Sequence, residues 1–140
     1  MKSVLFVAAL LAGPALAEDA RQLVEMPAAA QAALRSEMLD NLVALNEVLS
    51  LMAAGKVKEA GAVAEASLGQ SAMGKHRGQA MAARPGPHMP PAMHGIGMDG
   101  HKAASAFATV AASGDRELAL NLLPDLTGAC ISCHFSYRIR

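Results

Sequence analysis

The chain closes on ACISCHFSYRIR, residues 129–140. Cys130 and Cys133 stand three apart, and His134 follows the second at once. Working outward, Ala119, Leu123, Leu126, Cys130, Cys133 and Tyr137 alternate at intervals of four and three, the spacing of one helical face. The pattern predicts a C-terminal amphipathic helix with both thiols on its buried stripe. Gly114 and Asp115 supply a stop and then a cap before it. Pro124 lacks a backbone N–H, so it should kink this helix or split off its first turns.

The rest of the chain is also helical in pattern. Pro27 to Ala54 contains no glycine, and its one proline sits at the start, where a helix tolerates it. Leu34, Met38, Leu42, Leu45, Leu49 and Met52 recur at steps of four and three, predicting a long helix with an inward apolar stripe that Gly55 ends. Lys56 to Leu68 predicts a second, alanine-rich helix despite Gly61, and Asp99 to Ser113 a third. Sustained period-two alternation is missing and β-branched residues are few. The expected fold is all-α, an antiparallel four-helix bundle. Gly69 to Met98, with the proline-rich ARPGPHMPPAM (83–93), reads as a long loop.

Composition narrows the function class. The 140 residues suit one domain. MKSVLFVAALLAGPALA has the charged head, short apolar body and Ala-Leu-Ala end of a secretory leader. Cleavage after Ala17 is expected, leaving residues 18–140 as a periplasmic protein without stable membrane insertion, because the apolar run is too short to span a bilayer. Formal net charge is +0, and basic residues neither cluster nor interleave with aromatics, which argues against nucleic acid. Aromatics make up only 3 % of the chain against 53 % hydrophobic residues. Such a core is thin unless a large apolar group fills it.

C-x-x-C-H is the attachment signature of c-type haem. Residues i and i+3 share a helix face, so both thiols can reach the two porphyrin vinyl groups, and the next histidine can bind iron. Three other chemistries use such residues. A thioredoxin-like pair follows a strand in a βαβ unit, and no such unit is predicted here. A disulfide closing so short a loop would remove little chain entropy. A zinc site wants further cysteine or histidine ligands, and there is no second C-x-x-C. One covalent haem c is the expected cofactor. With only FSYRIR after His134, any second iron ligand must come from upstream.

A leader, four helices and a terminal C-x-x-C-H-x-x-Y-R, here Cys130, Cys133, His134, Tyr137 and Arg138, resemble the cytochrome c′ group, the class II c-type cytochromes. LRSEMLDNLVALNEVLSLMAAGK (34–56) is similar to that family's first helix, and HKAASAFATVAASGD (101–115) to its third. The resemblance implies a C-terminal haem-binding helix, thioether attachment at Cys130 and Cys133, and His134 as axial ligand. A first-helix residue then faces the other side of the iron. Methionine there implies six-coordinate iron suited to electron transfer; leucine implies an open site for NO or CO. Met38 is the candidate, although the family's usual interval, counted from Arg35, falls on Leu39. Arg138, one helical turn beyond His134, is expected near the haem, and Arg35 is either a propionate partner or merely solvated. Tyr137 is expected to pack. The family also implies a homodimer through the first helices.

The expected function is that of an exported mono-haem cytochrome that passes electrons between redox partner proteins, and not an enzyme. The alternative is a five-coordinate gas-binding protein. A third reading is copper handling by His76, Met81, His88, Met89, Met93, His94, Met98 and His101, since thioether sulfur suits Cu(I). His94 and Met98 are the loop residues most suited to ligating the haem iron instead.

Overall fold

A computed structural model describes residues 18–140; the expected leader, residues 1–17, lies outside the described residues. The chain is dominated by helices: α1 (Ala28–Ala53), α2 (Val57–Ser67), α3 (Pro91–Ala111), a short α4 (Arg116–Asn121) and α5 (Leu123–Ser136). A three-residue strand stands at each end, β1 (Gln22–Val24) and β2 (Tyr137–Ile139), paired in parallel.

Local chemistry sets these boundaries. Pro27 precedes α1, and the Gln31 side chain donates back to the Met26 carbonyl at 2.8 Å. Gly55, at φ 75°, ends α1 in the left-handed conformation that side chains resist, and the Lys56 N–H turns back to the Leu51 carbonyl. Asp115 caps α4 by accepting from the Leu118 N–H at 3.0 Å. The expected break at Pro124 occurs: α4 stops at Asn121, and Pro124 enters the first turn of α5, where its missing donor costs nothing.

Some expectations change. α3 begins at Pro91, eight residues before Asp99, so ARPGPHMPPAM is not all loop; Pro91 opens the helix, which absorbs Gly95, Gly97 and Gly100. The remaining connection, from Leu68 to Pro90, carries short helical turns at Gln70–Ala72, Met81–Ala83 and Gly86–His88. The strands were not expected. Their pairing joins residues from opposite ends of the chain, and segments of three residues carry no readable alternation.

Packing runs in sequence, α1 on α2, α2 on α3, α3 on α5, while α1 and α5 scarcely touch. One core gathers Val48, Met52, Val57, Ala60, Ala64, Ala104, Phe107, Ala111, Ala119 and Leu126, with Phe107 as its large fully buried aromatic. A second holds Val24, Met26, Ala30, Leu34 and Met93, with Met38, Met89, Cys133, Tyr137 and Ile139 against it. The stripe of α1 is rotated from the expected one. Ala30, Leu34, Ala44, Val48 and Met52 are buried and Met38 and Leu45 half-buried, but Leu42 and Leu49 are exposed. Among the described residues α2 is the main helical neighbour of α1, while Ala30 and Leu34 meet Met93 of α3 and Cys133 of α5 in the second core.

Alanine and glycine let α2 and α3 approach closely. A Cβ at Gly61 would lie 2.7 Å from the Ala111 Cβ and 3.1 Å from the Ala108 carbonyl oxygen. Neither atom can swing aside. Gly61→Ala should therefore lower stability by about 1–3 kcal/mol through overpacking, offset by roughly 1 kcal/mol of helix propensity. Urea unfolding checks this, and a stabilised variant would contradict the close approach.

Glu65 fastens the start of the connection. Its carboxylate accepts from Ser105 Oγ at 2.5 Å, from Ser71 Oγ and from the Ser71 N–H at 3.0 Å. These bonds, Ser105 first, hold its pKa below the ordinary 4.5. Because the folded pKa is depressed, this stabilisation is present above pH 4.5 and is lost as pH falls through the lowered value. Glu65→Gln should destabilise the protein at neutral pH, and the gap from wild type should narrow below pH 4.5, as read by urea midpoints across the acid range.

Candidate functional site

The last two turns of α5 carry Cys130, Cys133 and His134. Both thiols are free. The inward line of α5 is Leu126, Ala129 and Cys133 rather than the expected Leu126, Cys130 and Cys133. The cause is the contact with α3: a Cβ at Gly100 would sit 3.0 Å from Ala129 Cβ, so these small residues turn Ala129 towards α3. Cys130 is consequently exposed, a correction to the buried stripe, while Cys133 is half-buried. His134 is exposed in the last turn.

Burial pushes the Cys133 thiol above the usual 9.0, and the neighbouring Cys130 adds to the rise. Both effects disfavour the thiolate.

Met38 and Cys133 pack against the same cluster, which brings the first-helix candidate and the attachment motif to one end of the molecule. Leu39 is 65 % exposed and belongs to neither core. Arg35 is exposed. Tyr137 does pack against the cluster, but from β2 and not from a helix. Arg138 is likewise corrected: α5 ends at Ser136, so Arg138 lies on a strand and not one helical turn beyond His134. Its Nε donates to the Arg21 carbonyl at 3.2 Å and lies 3.6 Å from Asp19 Oδ2.

Arg21 and Asp19 are residues that the sequence did not single out. Arg21 donates to Asp19 through Nε at 2.9 Å and Nη2 at 2.7 Å, and through Nη1 to the His134 carbonyl at 3.4 Å. The guanidinium holds the Asp19 carboxyl down to about 2. An Asp-x-Arg triplet near a chain end carries no motif signal; only the fold brings it beside His134.

The histidines and methionines of the connection are dispersed. His76 Nε2 pairs with Glu37 at 3.3 Å, and His101 Nδ1 bonds the Leu68 carbonyl at 2.7 Å. Met81 is exposed, whereas Met89 and Met93 join the second core. His94 is exposed with Nε2 beside Gly86, and Met98 is half-buried outside both cores. The buried Nε2 of His88, next to Met89, has no hydrogen-bond partner among the described residues. Nor do the described residues contain a group of three or more His, Cys, Asp or Glu side chains able to hold a metal ion.

No family model, no curated protein and no solved structure matches the chain. Among the described residues no helix is long and apolar enough to cross a membrane.

In the chain produced without haem, where both thiols are free, alkylation should modify Cys130 well before Cys133, since Cys133 is less accessible and burial disfavours its thiolate. Peptide mass mapping over a time course with iodoacetamide reads the order; equal rates would contradict the burial of Cys133.

Proposed function

We propose that the protein is an exported mono-haem c-type cytochrome that passes single electrons between redox partners. The observation that carries this reading is the pairing of two free thiols three apart on α5, followed by His134, with Met38 packed on the same cluster as Cys133. Donor chemistry and surroundings both fit haem. Thioether formation needs thiols that are not already bridged, and both are free. A porphyrin needs apolar walls, and α1 and α5, which scarcely touch, leave Leu42, Leu49, Ile131 and Phe135 exposed, Phe135 at 80 %.

In this account Cys130 and Cys133 would hold the haem covalently, His134 and Met38 would bind its iron, and the helices would form an antiparallel bundle around it. The bound group supplies a reversible ferric–ferrous couple, with thioether ligation favouring the ferrous state. The chain's own residues bind, orient and exclude water. Met38 and Cys133 pack against the apolar cluster of Val24, Met26, Ala30, Leu34 and Met93, a low-dielectric setting that would penalise the extra positive charge of ferric iron. No side chain is assigned to bond-making chemistry. Arg138 is left with an indirect place, on the strand behind the motif rather than against the haem.

The gas-binding alternative needs Leu39 over the iron, and its exposure speaks for Met38. Two of the donors named for a copper site are engaged elsewhere, His76 with Glu37 and His101 with the Leu68 carbonyl.

Met38→Ala should convert a low-spin reduced spectrum into a high-spin one that shifts on adding CO. An unchanged low-spin spectrum would remove Met38 as ligand. His134→Ala should abolish the low-spin spectrum altogether.

A further inference from the structure

We propose that the N-terminal segment, residues 19–24, is a clamp on the last turn of α5, with Arg21 as a positioning residue for His134. Its consequence for haem rests on the reading above; the clamp itself does not.

The motif occupies an exposed structural position. The last carbonyls of a helix have no partner within it, so a last turn frays unless other groups satisfy them. Cys133 and His134 sit in the final turn of the final helix, just before the backbone becomes extended at Tyr137, φ −129° and ψ 150°. The fold answers with a segment from the other end of the chain. Gln22, Leu23 and Val24 register against Tyr137, Arg138 and Ile139. A two-stranded ladder this short is marginal alone. Here Val24 is buried at 3 % exposure, and Tyr137 and Ile139 pack against the same cluster.

Side chains then lock the ladder to the helix. Asp19 takes two bonds from the Arg21 fork, through Nε and Nη2, which fixes the guanidinium plane. The remaining nitrogen, Nη1, reaches the His134 carbonyl at 3.4 Å. Arg138 closes the loop from β2 by donating to the Arg21 carbonyl at 3.2 Å. A cation at a helix C-terminus also opposes the negative end of the helix dipole. Lysine could not reproduce this, because a point charge cannot hold both carboxylate oxygens and the carbonyl together. The carbonyl so held belongs to the residue whose imidazole is the axial ligand in the proposed function. Releasing it frees that residue's backbone to fray.

Amide hydrogen exchange on the purified mature chain tests the clamp. Arg21→Ala and Arg21→Lys both leave Val24 and its packing in place. Each should speed exchange at residues 133–139 by about tenfold or more, while amides of α2 and α3 keep their protection. In the haem-loaded protein both variants should also raise the high-spin fraction of the ferric spectrum, which loss of a merely remote contact would not do. Unchanged exchange at 133–139 in both variants would overturn the proposal, as would uniform acceleration through every helix. If the purified chain carries no haem, its spectrum contradicts the proposed function, and the exchange data still decide the clamp.

Discussion

Packing of Cys133 against the cluster formed by Met26, Leu34, Met38 and Met93 joins the end of α5 to α1 and to the start of α3. Everything at that end of the molecule depends on it. α5 packs chiefly on α3 and scarcely meets α1, so its motif is aligned with the first helix through this cluster and not through a helix–helix seam. The cluster draws on β1, Met26 just after it, α1, Met89 before α3, Met93 in the first turn of α3, α5 and β2. The segment from Cys133 to Ile139 is thereby held by residues far earlier in the sequence, Val24 to Met38.

The two cores divide the work. The alanine-rich one around Phe107 brings α2 and α3 so close that Gly61 has no space for a side chain, and this gives a firm base. The methionine-rich one is built from flexible, polarisable side chains that can adapt to an irregular neighbour. Cys133 lies at this adaptable end, and Cys130 is exposed beside it.

Helix boundaries with local causes were legible in the residues. α1 and α2 lie within a residue of their predicted limits because Pro27, Gly55 and Lys56 act where they stand, and Pro124 split α4 from α5 for the same reason. Where tertiary packing decided, the pattern misled. The prolines of residues 83–93 made the start of α3 read as loop, yet Pro91 opens the helix, and at Gly100 Ala129 of α5 comes close. That approach also swung Cys130 outward. The face of α1 was misjudged by the same kind of error: its leucines mark an apolar surface wider than α2 alone can cover, leaving Leu42 exposed at 63 %. The strand pair and the Arg21 fork were invisible, since their partners are separated by nearly the whole chain. The motif's place near the end of a helix was legible because residue types at a fixed spacing act locally, whereas the faces its two thiols take were not.

The central claim is that Cys130 and Cys133 carry a covalent haem. The intact mass of the protein purified from an exporting host, taken under denaturing and reducing conditions, tests it most directly. The account predicts a chain starting at Glu18 plus the mass of one haem. A chain at its unmodified mass, with both thiols still open to alkylation, would contradict it.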